Sequence, residues 1–464
     1  MTNSSRALRQ AVRLALATAA AASTAPLALA QTAPAEQAAP AVQEVVVTGS
    51  RLLQQPNDIS ISPITSVSQE DIQKTGLVRT EDILGMLPQI GAEQNSGTSI
   101  SASGTATVSL RNLGSQRTLV LVNNRRMNPG GAGGFTGNAN AADINQIPAG
   151  LVERVDVLTG GASAVYGADA VAGVVNFVMN THFQGVKIDG SYGYNNHSND
   201  NATYLGFLDS AGIQHPPSTV NTGQNRNIDF IAGSNFADGK GNATVYATFL
   251  HSNPSVGYQF DHAACTLNGG STPNKPIKCG GSGTSANGHW LMLGNTPASK
   301  STTIAETSIN QSGGGMIPYD SVRDSYNYGA LSYFQRQADR YTAGAFFHYD
   351  VNPHATVYTE TMWSRNTSTA QYGPSGSFYQ LVNLGCPGVT GAAADGSNVN
   401  PFVAATPGAQ AALCTQTLVD QNQALYGGTG NQISLYIARR SVESGGRQDN
   451  YFSNSIKQDV GVKG

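Results

Sequence analysis

From residue 181 onward, apolar and polar residues alternate along several segments of the chain. Val186, Ile188, Tyr192 and Tyr194 fall at every second position, while Lys, Asp, Ser and Gly stand between them. Because successive side chains of a strand point to opposite faces, this pattern predicts a strand with one apolar face. The same reasoning predicts five further strands, at residues 225–236, 241–251, 340–350, 355–365 and 451–462.

The connections between these strands restrict the fold further. Residues 237–240 and 351–354 are short turns, whereas 195–224, 252–339 and 366–450 are long, and short and long connections alternate. Outer-membrane β-barrels combine short periplasmic turns with long extracellular loops. A soluble sandwich would not place two very long connections on one face only. The pattern predicts antiparallel barrel strands, with the alternating segments 326–334 and 433–440 as folded parts of the loops.

The composition agrees with an exported barrel. Charged residues make up only 12% of the chain, whereas 53 of its 464 residues are glycine. Beyond residue 30 no segment is long and apolar enough for a membrane-spanning helix. The net charge of -3 gives no electrostatic footprint for nucleic acid. The sequence thus excludes a helical membrane protein and predicts no nucleic-acid partner.

The N-terminus has the pattern of a secretory signal. Arg6, Arg9 and Arg13 precede an uncharged Ala/Leu-rich stretch that ends in a small-x-small pattern before Gln31. We interpret residues 1–30 as a signal peptide. Residues 31–43 are rich in Pro, Ala and Gln, and they predict a flexible linker.

Export makes disulfide formation possible for the four cysteines. Cys265 and Cys279 form one sequence-local pair, and Cys386 and Cys414 form the other. Pairing within each is the simplest of the three connectivities. A metal site is the alternative, but neither pair has the spacing of zinc ligands. The sequence therefore predicts two loop disulfides and neither a metal nor a cofactor.

The segment 44–180 has the pattern of a small α+β domain. A capping-box-like start at Ser68 and a stop at Gly76 predict one helix, and Thr80 begins a second that Pro88 ends. Asn123 and Asn124 predict a turn. Short strands are expected at 61–67, 107–110, 118–122, 152–158 and 174–179.

Four motifs of this segment occur in a characteristic order. They are EVVVTGSR from Glu44, SQEDIQKTG with TEDILGMLPQI at 68–90, VSLRNLGSQRTLVLVNNRR at 108–126, and VERVDVLTGGASAVYGADAVAGVVNFVM at 152–179. Together they closely resemble the plug domain of TonB-dependent outer-membrane receptors. Asn124 and Gly161 depart from the pattern, since many members have Gly and Pro there.

The resemblance implies a fold and a division of the chain. The fold is an α+β plug domain followed by an antiparallel transmembrane β-barrel. Residues 44–51 are the TonB box region, 52–180 the plug and 181–464 the N-terminal part of the barrel. Six strands cannot enclose a plug, since a plugged lumen has about 22 strands. We expect a longer receptor of about 22 strands; the alternative is a natural truncation without transport activity.

The resemblance also implies a function and partners. It implies energy-coupled uptake of a scarce ligand, such as a ferric siderophore, across the outer membrane of a Gram-negative bacterium. The partners are TonB with its inner-membrane energising complex, outer-membrane lipid and a small-molecule ligand. Glycan or cobalamin uptake, and a passive porin or non-transporting adhesin, are the alternatives. A signal-transducing receptor is disfavoured, because residues 31–43 leave no room for its extra domain.

Candidate site residues follow from these expectations. A β-branched run on a flexible tether offers unpaired backbone groups to a partner's sheet edge, so we assign TonB binding to Glu44, Val45, Val46, Val47 and Thr48. The plug loops 91–105 and 127–140 supply ligand-facing candidates, namely Asn95, Ser99, Asn128, Phe135 and Asn138. Contacts between plug and barrel are expected from Arg111, Arg117, Glu153 and Arg154.

The sequence lacks the motifs of common enzymes. It contains no H-E-x-x-H, G-x-S-x-G or Walker-type G-K-[ST] sequence. The segment Asp395-Gly396-Ser397-Asn398 lacks the glutamate of a calcium loop, and we interpret it as a turn. The sequence therefore predicts a protein that is not an enzyme.

Overall fold

The computed structural model describes residues 64–464 except 92, 94, 96, 98–103, 131–139, 270–275, 311, 313, 390–400 and 428–429. The signal peptide, the linker and the TonB box region therefore lie outside the described residues. So do Ser99, Phe135 and Asn138, and the segment 395–398.

Residues 64–180 form an N-terminal domain of short strands and helices. Its helices are α1 Gln69–Thr75, α2 Thr80–Gly85 and α3 Ser163–Tyr166. Five strands form one sheet in the order β1-β6-β7-β4-β5, in which only β4 and β7 run parallel, and β2 pairs with β3. The strands are β1 Ile64–Ser68, β2 Ile90–Gly91, β3 Ser109–Leu110, β4 Thr118–Val122, β5 Arg125–Arg126, β6 Val152–Leu158 and β7 Gly173–Met179.

Local sequence signals account for the first helix. The Ser68 hydroxyl accepts a hydrogen bond from the Asp71 amide at 3.2 Å, and the Asp71 carboxylate accepts one from the Ser68 amide at 3.3 Å. Gly76 ends the helix in the left-handed region, with φ of 67°. Both expected ends of α1 are confirmed. The second helix ends at Gly85, with Met86 as its C-cap, so it stops earlier than the position before Pro88 that the sequence predicts.

The chain from residue 185 onward consists mainly of strands. Short 3-10 turns occur at Gly257–Gln259, Gly329–Leu331 and Val442–Ser444. None of the helices in the described part of the chain has both the length and the apolar character needed to cross a bilayer. The strands are β8 Gly185–Ser198, β9 Thr219–Phe236, β10 Gly241–Ser252, β11 Ser255–Val256, β12 Leu267–Asn268, β13 Lys278–Cys279, β14 His289–Thr296, β15 Ser299–Ile309, β16 Met316–Pro318, β17 Tyr333–Gln335, β18 Gln337–Asn352, β19 Ala355–Tyr372, β20 Gly376–Gly385, β21 Gln432–Arg440 and β22 Arg447–Lys463.

Six of these strands form one large antiparallel sheet. Its order is β22-β19-β18-β10-β9-β8. Each strand of this sheet pairs with the one that precedes or follows it within the sheet along the chain. All six are the strands that the alternating pattern predicts, although most extend further than expected. Short turns join β9 to β10 and β18 to β19 at one end, and the long connections leave from the other. The predicted alternation of short and long connections is confirmed.

The two faces of the large sheet differ in chemistry. Large apolar side chains are exposed on one face, among them Val186, Ile188, Phe230, Phe347 and Ile456. The opposite face carries buried polar residues such as Thr244, Thr342 and Ser364, together with a smaller set of buried apolar residues. Strands of 12 to 18 residues exceed the roughly 9–11 residues that cross a bilayer. The apolar face fits contact with lipid, and the opposite, inner face lies against the N-terminal domain.

The two longest connections fold together into one module, which we call the loop module. It contains a five-stranded sheet of order β16-β15-β14-β21-β20. Strand β14 belongs to one connection and β21 to the other, and they pair through His289 and Ala438. The loop module also contains the helices α5 Pro401–Ala405, α6 Ala409–Leu413 and α7 Gln416–Tyr426. Helix α4, Ala202–Ser210, lies outside it, in the connection between β8 and β9.

Two disulfides lie in the long connections. Cys265 bonds to Cys279 and Cys386 bonds to Cys414. The second disulfide is part of an apolar core that also contains Met292, Leu413, Val419 and Leu435. This is the sequence-local pairing that the spacing favoured. The expected folded loop segments are β21 and the region of β17.

Candidate functional site

The N-terminal domain packs against the inner face of the large sheet through a shared apolar core. Ile231, Tyr246, Phe346 and Met362 project from β9, β10, β18 and β19 into this core. Their partners in the N-terminal domain are buried aliphatic side chains, which include Ile83, Leu84, Ile144, Ile147, Leu151 and Val155. This patch fixes the position of the domain against the sheet.

A buried group of charges lies beside the apolar patch. We call Arg79, Arg336, Arg340 and Glu81 the arginine cluster. The Arg340 guanidinium of β18 donates to Glu81 at 3.4 Å and also to the Asn145 side chain. Arg79 donates to the Ser252 hydroxyl of β10. Polar contacts thus join α2 and its N-cap to two strands of the sheet.

Glu81 carries the negative charge of the arginine cluster. Burial favours its neutral form, but Arg340, Arg79 and Arg336 surround it and hold the pKa of Glu81 below its usual range. The side chains of Arg340 and Glu81 are 7% and 5% exposed. The carboxylate is therefore ionised and nearly dry, and its loss would leave buried arginines without their counter-charge.

Asp143 lies near the cluster and behaves differently. Its Oδ1 accepts hydrogen bonds from the Ala106 and Asn145 amides at 3.0 Å each. Its Oδ2 is buried without a hydrogen-bond partner among the described residues. Burial outweighs the two hydrogen bonds and raises the pKa of Asp143 to about 6. This carboxyl group titrates close to neutral pH.

The raised pKa of Asp143 predicts a pH dependence of stability. A folded state that holds the proton more tightly than the unfolded chain loses stability as pH rises from about 4 to about 6. Asp143→Asn removes this titration, so its free energy of unfolding should fall less than that of the wild type over this range. Urea unfolding of the N-terminal domain at several pH values measures the difference. Glu81 is present in both proteins, so its contribution to the pH dependence cancels in the comparison. Equal pH dependence of the free energy of unfolding in wild type and Asp143→Asn would contradict the prediction.

Further contacts hold the described residues Asn95, Gly104 and Thr105 of the N-terminal domain. Arg336 donates to the Asn95 carbonyl at 2.6 Å and to the Thr105 carbonyl at 3.4 Å. Asn366 of β19 donates to the Gly104 carbonyl at 3.0 Å. The Asn95 side chain accepts from the Gly97 amide of its own loop. Asn95 is half-buried, and both its carbonyl and its side chain accept hydrogen bonds from other residues of the protein.

A cavity of about 530 Å³ separates the N-terminal domain from β22. Asn128 and Gln146 line it on one side, and Tyr451, Ser453 and Lys457 line it on the other. Asn128 is exposed, as a ligand-facing residue requires. The lining is largely polar and uncharged, so it suits a ligand that forms many hydrogen bonds.

A turn of the N-terminal domain makes a second charged contact with the sheet. Asn123 and Asn124 both have positive φ, of 50° and 64°, and form the predicted turn. Behind this turn Arg125 pairs with Glu360 of β19 at 2.9 Å, and the side-chain Nδ2 of Asn123 donates to Glu360 at 3.2 Å. The Arg125 guanidinium also lies 4.2 Å from the centre of the Tyr358 ring.

The residues expected to join the domain to the sheet make other contacts. Arg111 donates to the Ala172 carbonyl and Arg117 to the Leu113 carbonyl, and both arginines are exposed. Arg154 lies between Glu153 and Asp156. These contacts are all internal to the N-terminal domain. The charged side chains that join the described parts of the domain and the sheet include Arg79, Glu81, Arg125, Arg336 and Arg340 instead.

A sequence signal existed for the sheet side of this interface. Arg340 stands in phase with Thr342, Gly344 and Phe346, and out of phase with the exposed Tyr341 and Phe347. The period of two therefore places Arg340 on the inner face. For Arg79 and Glu81 no such signal exists, because their burial depends on a strand far away in the sequence.

Comparison with known proteins identifies the N-terminal domain. A family model described as "TonB-dependent Receptor Plug Domain" matches residues 57–174. This match covers almost the whole α+β domain and leaves the large sheet outside it.

Solved structures of receptors are similar to larger parts of the chain. The ferric enterobactin receptor PfeA of Pseudomonas aeruginosa is 14% identical over 70% of this chain and 42% of its own, with a TM-score of 0.36. The siderophore receptor PirA of the same species is 15% identical over 67% and 35%, with a TM-score of 0.34. The siderophore receptor PiuA of Acinetobacter baumannii is 13% identical over 68% and 38%, with a TM-score of 0.33. The chain spans less than two thirds of the length of each of these three receptors.

Proposed function

Since the chain is a TonB-dependent receptor of the Gram-negative outer membrane, with a plug domain and strands of the barrel type, we propose that it takes up a scarce ligand by energy from TonB. The family consists of receptors and not of enzymes. We further propose a ferric siderophore as the ligand. The observation that carries the proposal is the plug domain seated against the inner face of the sheet, through both polar contacts and a small apolar patch.

The contacts between plug and sheet support a plug that is held firmly but can be moved. The shared apolar patch is small beside the plug's own core. Much of the remaining interface consists of hydrogen bonds and ion pairs, such as Arg125 with Glu360 and Arg340 with Glu81. Water can replace such partners when the plug shifts, whereas an extended apolar interface would resist the shift.

The cavity beside β22 supports the choice of a polar ligand. Its volume of about 530 Å³ lies within the usual range of ligand sites, roughly 300–1,000 Å³. Asn128, Gln146 and Ser453 offer hydrogen-bonding groups there. A ferric siderophore is a polar chelate of this order of size, and it is too scarce for passive diffusion to supply.

A strain without TonB tests the coupling. Uptake of labelled ferric siderophore by cells that express the full-length protein should fall to background when TonB is removed. The reason is that the plug blocks passive flux until it is displaced. Uptake that persists without TonB would contradict energy coupling and favour a passive pore.

Growth of a deletion strain tests the ligand. The strain should grow poorly when a single ferric siderophore is the iron source. It should grow normally when a glycan is the carbon source, or when growth depends on added cobalamin. A defect confined to a glycan or to cobalamin would overturn the siderophore assignment and leave the coupling mechanism in place.

A further inference from the structure

Two histidines and an aspartate meet where the large sheet joins its long connections. His197 lies near the end of β8, and Asp261 and His262 follow the 3-10 turn Gly257–Gln259. His197 Nε2 lies 3.2 Å from Asp261 Oδ1, and His262 Nδ1 lies 3.3 Å from the same oxygen. One potential ligand atom of each residue lies within 4.8 Å of the others.

The two shorter distances agree with metal-ligand geometry. Zinc bonds to imidazole nitrogen and carboxylate oxygen are about 2.0–2.2 Å long, so two ligands of a tetrahedral site stand roughly 3.3–3.5 Å apart. His197 and His262 each lie near this distance from Asp261 Oδ1. The two imidazole nitrogens lie within 4.8 Å of each other, so all three potential ligand atoms surround one small space.

The hydrogen bonding at Asp261 Oδ1 leaves room for a cation. The His262 amide donates to this oxygen at 2.7 Å. A carboxylate oxygen has two lone pairs. The His262 amide uses one of them, so a single lone pair of Oδ1 remains, although two imidazole nitrogens face this oxygen. A metal ion between the three residues would accept electron pairs from both nitrogens and from the oxygen at once.

The carboxylate is held in place by groups outside the cluster. The Asn201 amide donates to Asp261 Oδ2 at 3.1 Å, and the Asp261 amide donates to Asn199 Oδ1 at 2.9 Å. The Asp261 side chain is only 2% exposed, whereas those of His197 and His262 are 34% and 33% exposed. The anion is therefore preorganised, and the imidazole side is open to an incoming ion and to water as a further ligand.

Aromatic rings restrict the two imidazoles. The ring of His197 packs edge-on against Phe260 at 5.6 Å between centres, and that of His262 packs edge-on against Phe334 at 5.5 Å. The two imidazoles are 5.2 Å apart and nearly perpendicular. Their nitrogens are thus kept near Asp261 rather than turned to solvent.

We propose that His197, Asp261 and His262 form a binding site for a divalent transition-metal ion of the zinc class. Two imidazoles and one carboxylate suit Zn²⁺, whereas Ca²⁺ and Mg²⁺ prefer sites built from oxygen ligands. The bound ion would tie the end of β8 to the connection between β10 and β18. This site is separate from the cavity beside the plug and does not depend on the transported ligand.

Calorimetric titration of the full-length protein with ZnCl₂ tests the site. The protein is purified in detergent without a polyhistidine tag and treated with a chelator first. We expect one saturable Zn²⁺ site per chain and no comparable binding of Mg²⁺ or Ca²⁺. His197→Gln and His262→Gln should each weaken Zn²⁺ binding at least about tenfold, since even residues that only orient metal ligands have effects of that size.

His215→Gln is the matched control. His215 pairs with Asp209 at 2.8 Å in the connection between β8 and β9, and both side chains are exposed. This pair contains only one imidazole, so we expect no zinc site there. His215→Gln should leave Zn²⁺ binding at His197, Asp261 and His262 unchanged. Circular dichroism and heat-dependent mobility on gels verify folding of each variant. The proposal is overturned if the wild type shows no saturable site, or if folded His197→Gln and His262→Gln bind Zn²⁺ as tightly as the wild type.

Discussion

Val46→Pro is expected to abolish TonB-dependent uptake while the receptor still folds and reaches the outer membrane. The TonB box region lies outside the described residues, and the prediction rests on the sequence alone. An extended segment that adds to a partner's sheet edge binds through its backbone N–H and C=O groups. Proline has no N–H and fixes φ, so one substitution in the middle of Glu44 to Thr48 interrupts that pairing. Uptake of labelled ligand should fall to the level of a strain without TonB.

Two controls separate backbone pairing from other effects. Val46→Thr keeps both the N–H group and the β-branched side chain, so it should retain most of the uptake. Ala38→Pro introduces a proline into the linker, which already contains Pro34 and Pro40, and it should be silent. Protein level and surface ligand binding are measured in each strain. If Val46→Pro cells transported normally, the assigned segment would be wrong.

Glu81→Gln is expected to produce a large loss of stability in the plug. Glutamine has the shape of glutamate but no charge, so Arg79, Arg336 and Arg340 would remain buried without their shared counter-charge. Removing one partner of a buried ion pair costs about 3–5 kcal/mol. The free energy of unfolding of the plug is measured by urea titration, with resistance to protease as the readout.

Glu70→Gln provides a comparison within the same domain. Glu70 pairs with Lys74 at 2.8 Å on the surface of α1, where the two side chains are 78% and 67% exposed. A surface pair of this spacing contributes only about 0.3–0.5 kcal/mol. A double-mutant cycle of Glu81→Gln with Arg340→Gln then isolates their coupling. Similar losses for Glu70→Gln and Glu81→Gln would refute the central role of Glu81.

Local signals predicted much of the fold. Ser68 and Gly76 mark the ends of α1, the two asparagines at 123 and 124 form a turn, and alternation identifies all six strands of the large sheet. Each of these features depends on the covalent properties of a few adjacent residues, on hydrogen bonds within one turn, or on a period of two. Such information is present in any short stretch of the sequence.

The charged interface was not predictable in the same way. Glu81 stands beside Asp82 at the start of α2, and both residues have the ordinary pattern of acids in a first helical turn. Only the packing of α2 against β18 makes one of them the partner of Arg340. The meeting of His197 with Asp261 and the pairing of β14 with β21 likewise join distant parts of the chain. Tertiary structure decides these contacts, and no local pattern announces them.

The pairing of β14 with β21 also sets an order of events during biogenesis. His289 and Ala438 belong to connections that are separated in the chain by the hairpin of β18 and β19, so the shared sheet requires both connections to be exported. Both disulfides, in contrast, close within a single connection. Oxidation can therefore be complete in the periplasm while the two connections are still separate, before the loop module joins them.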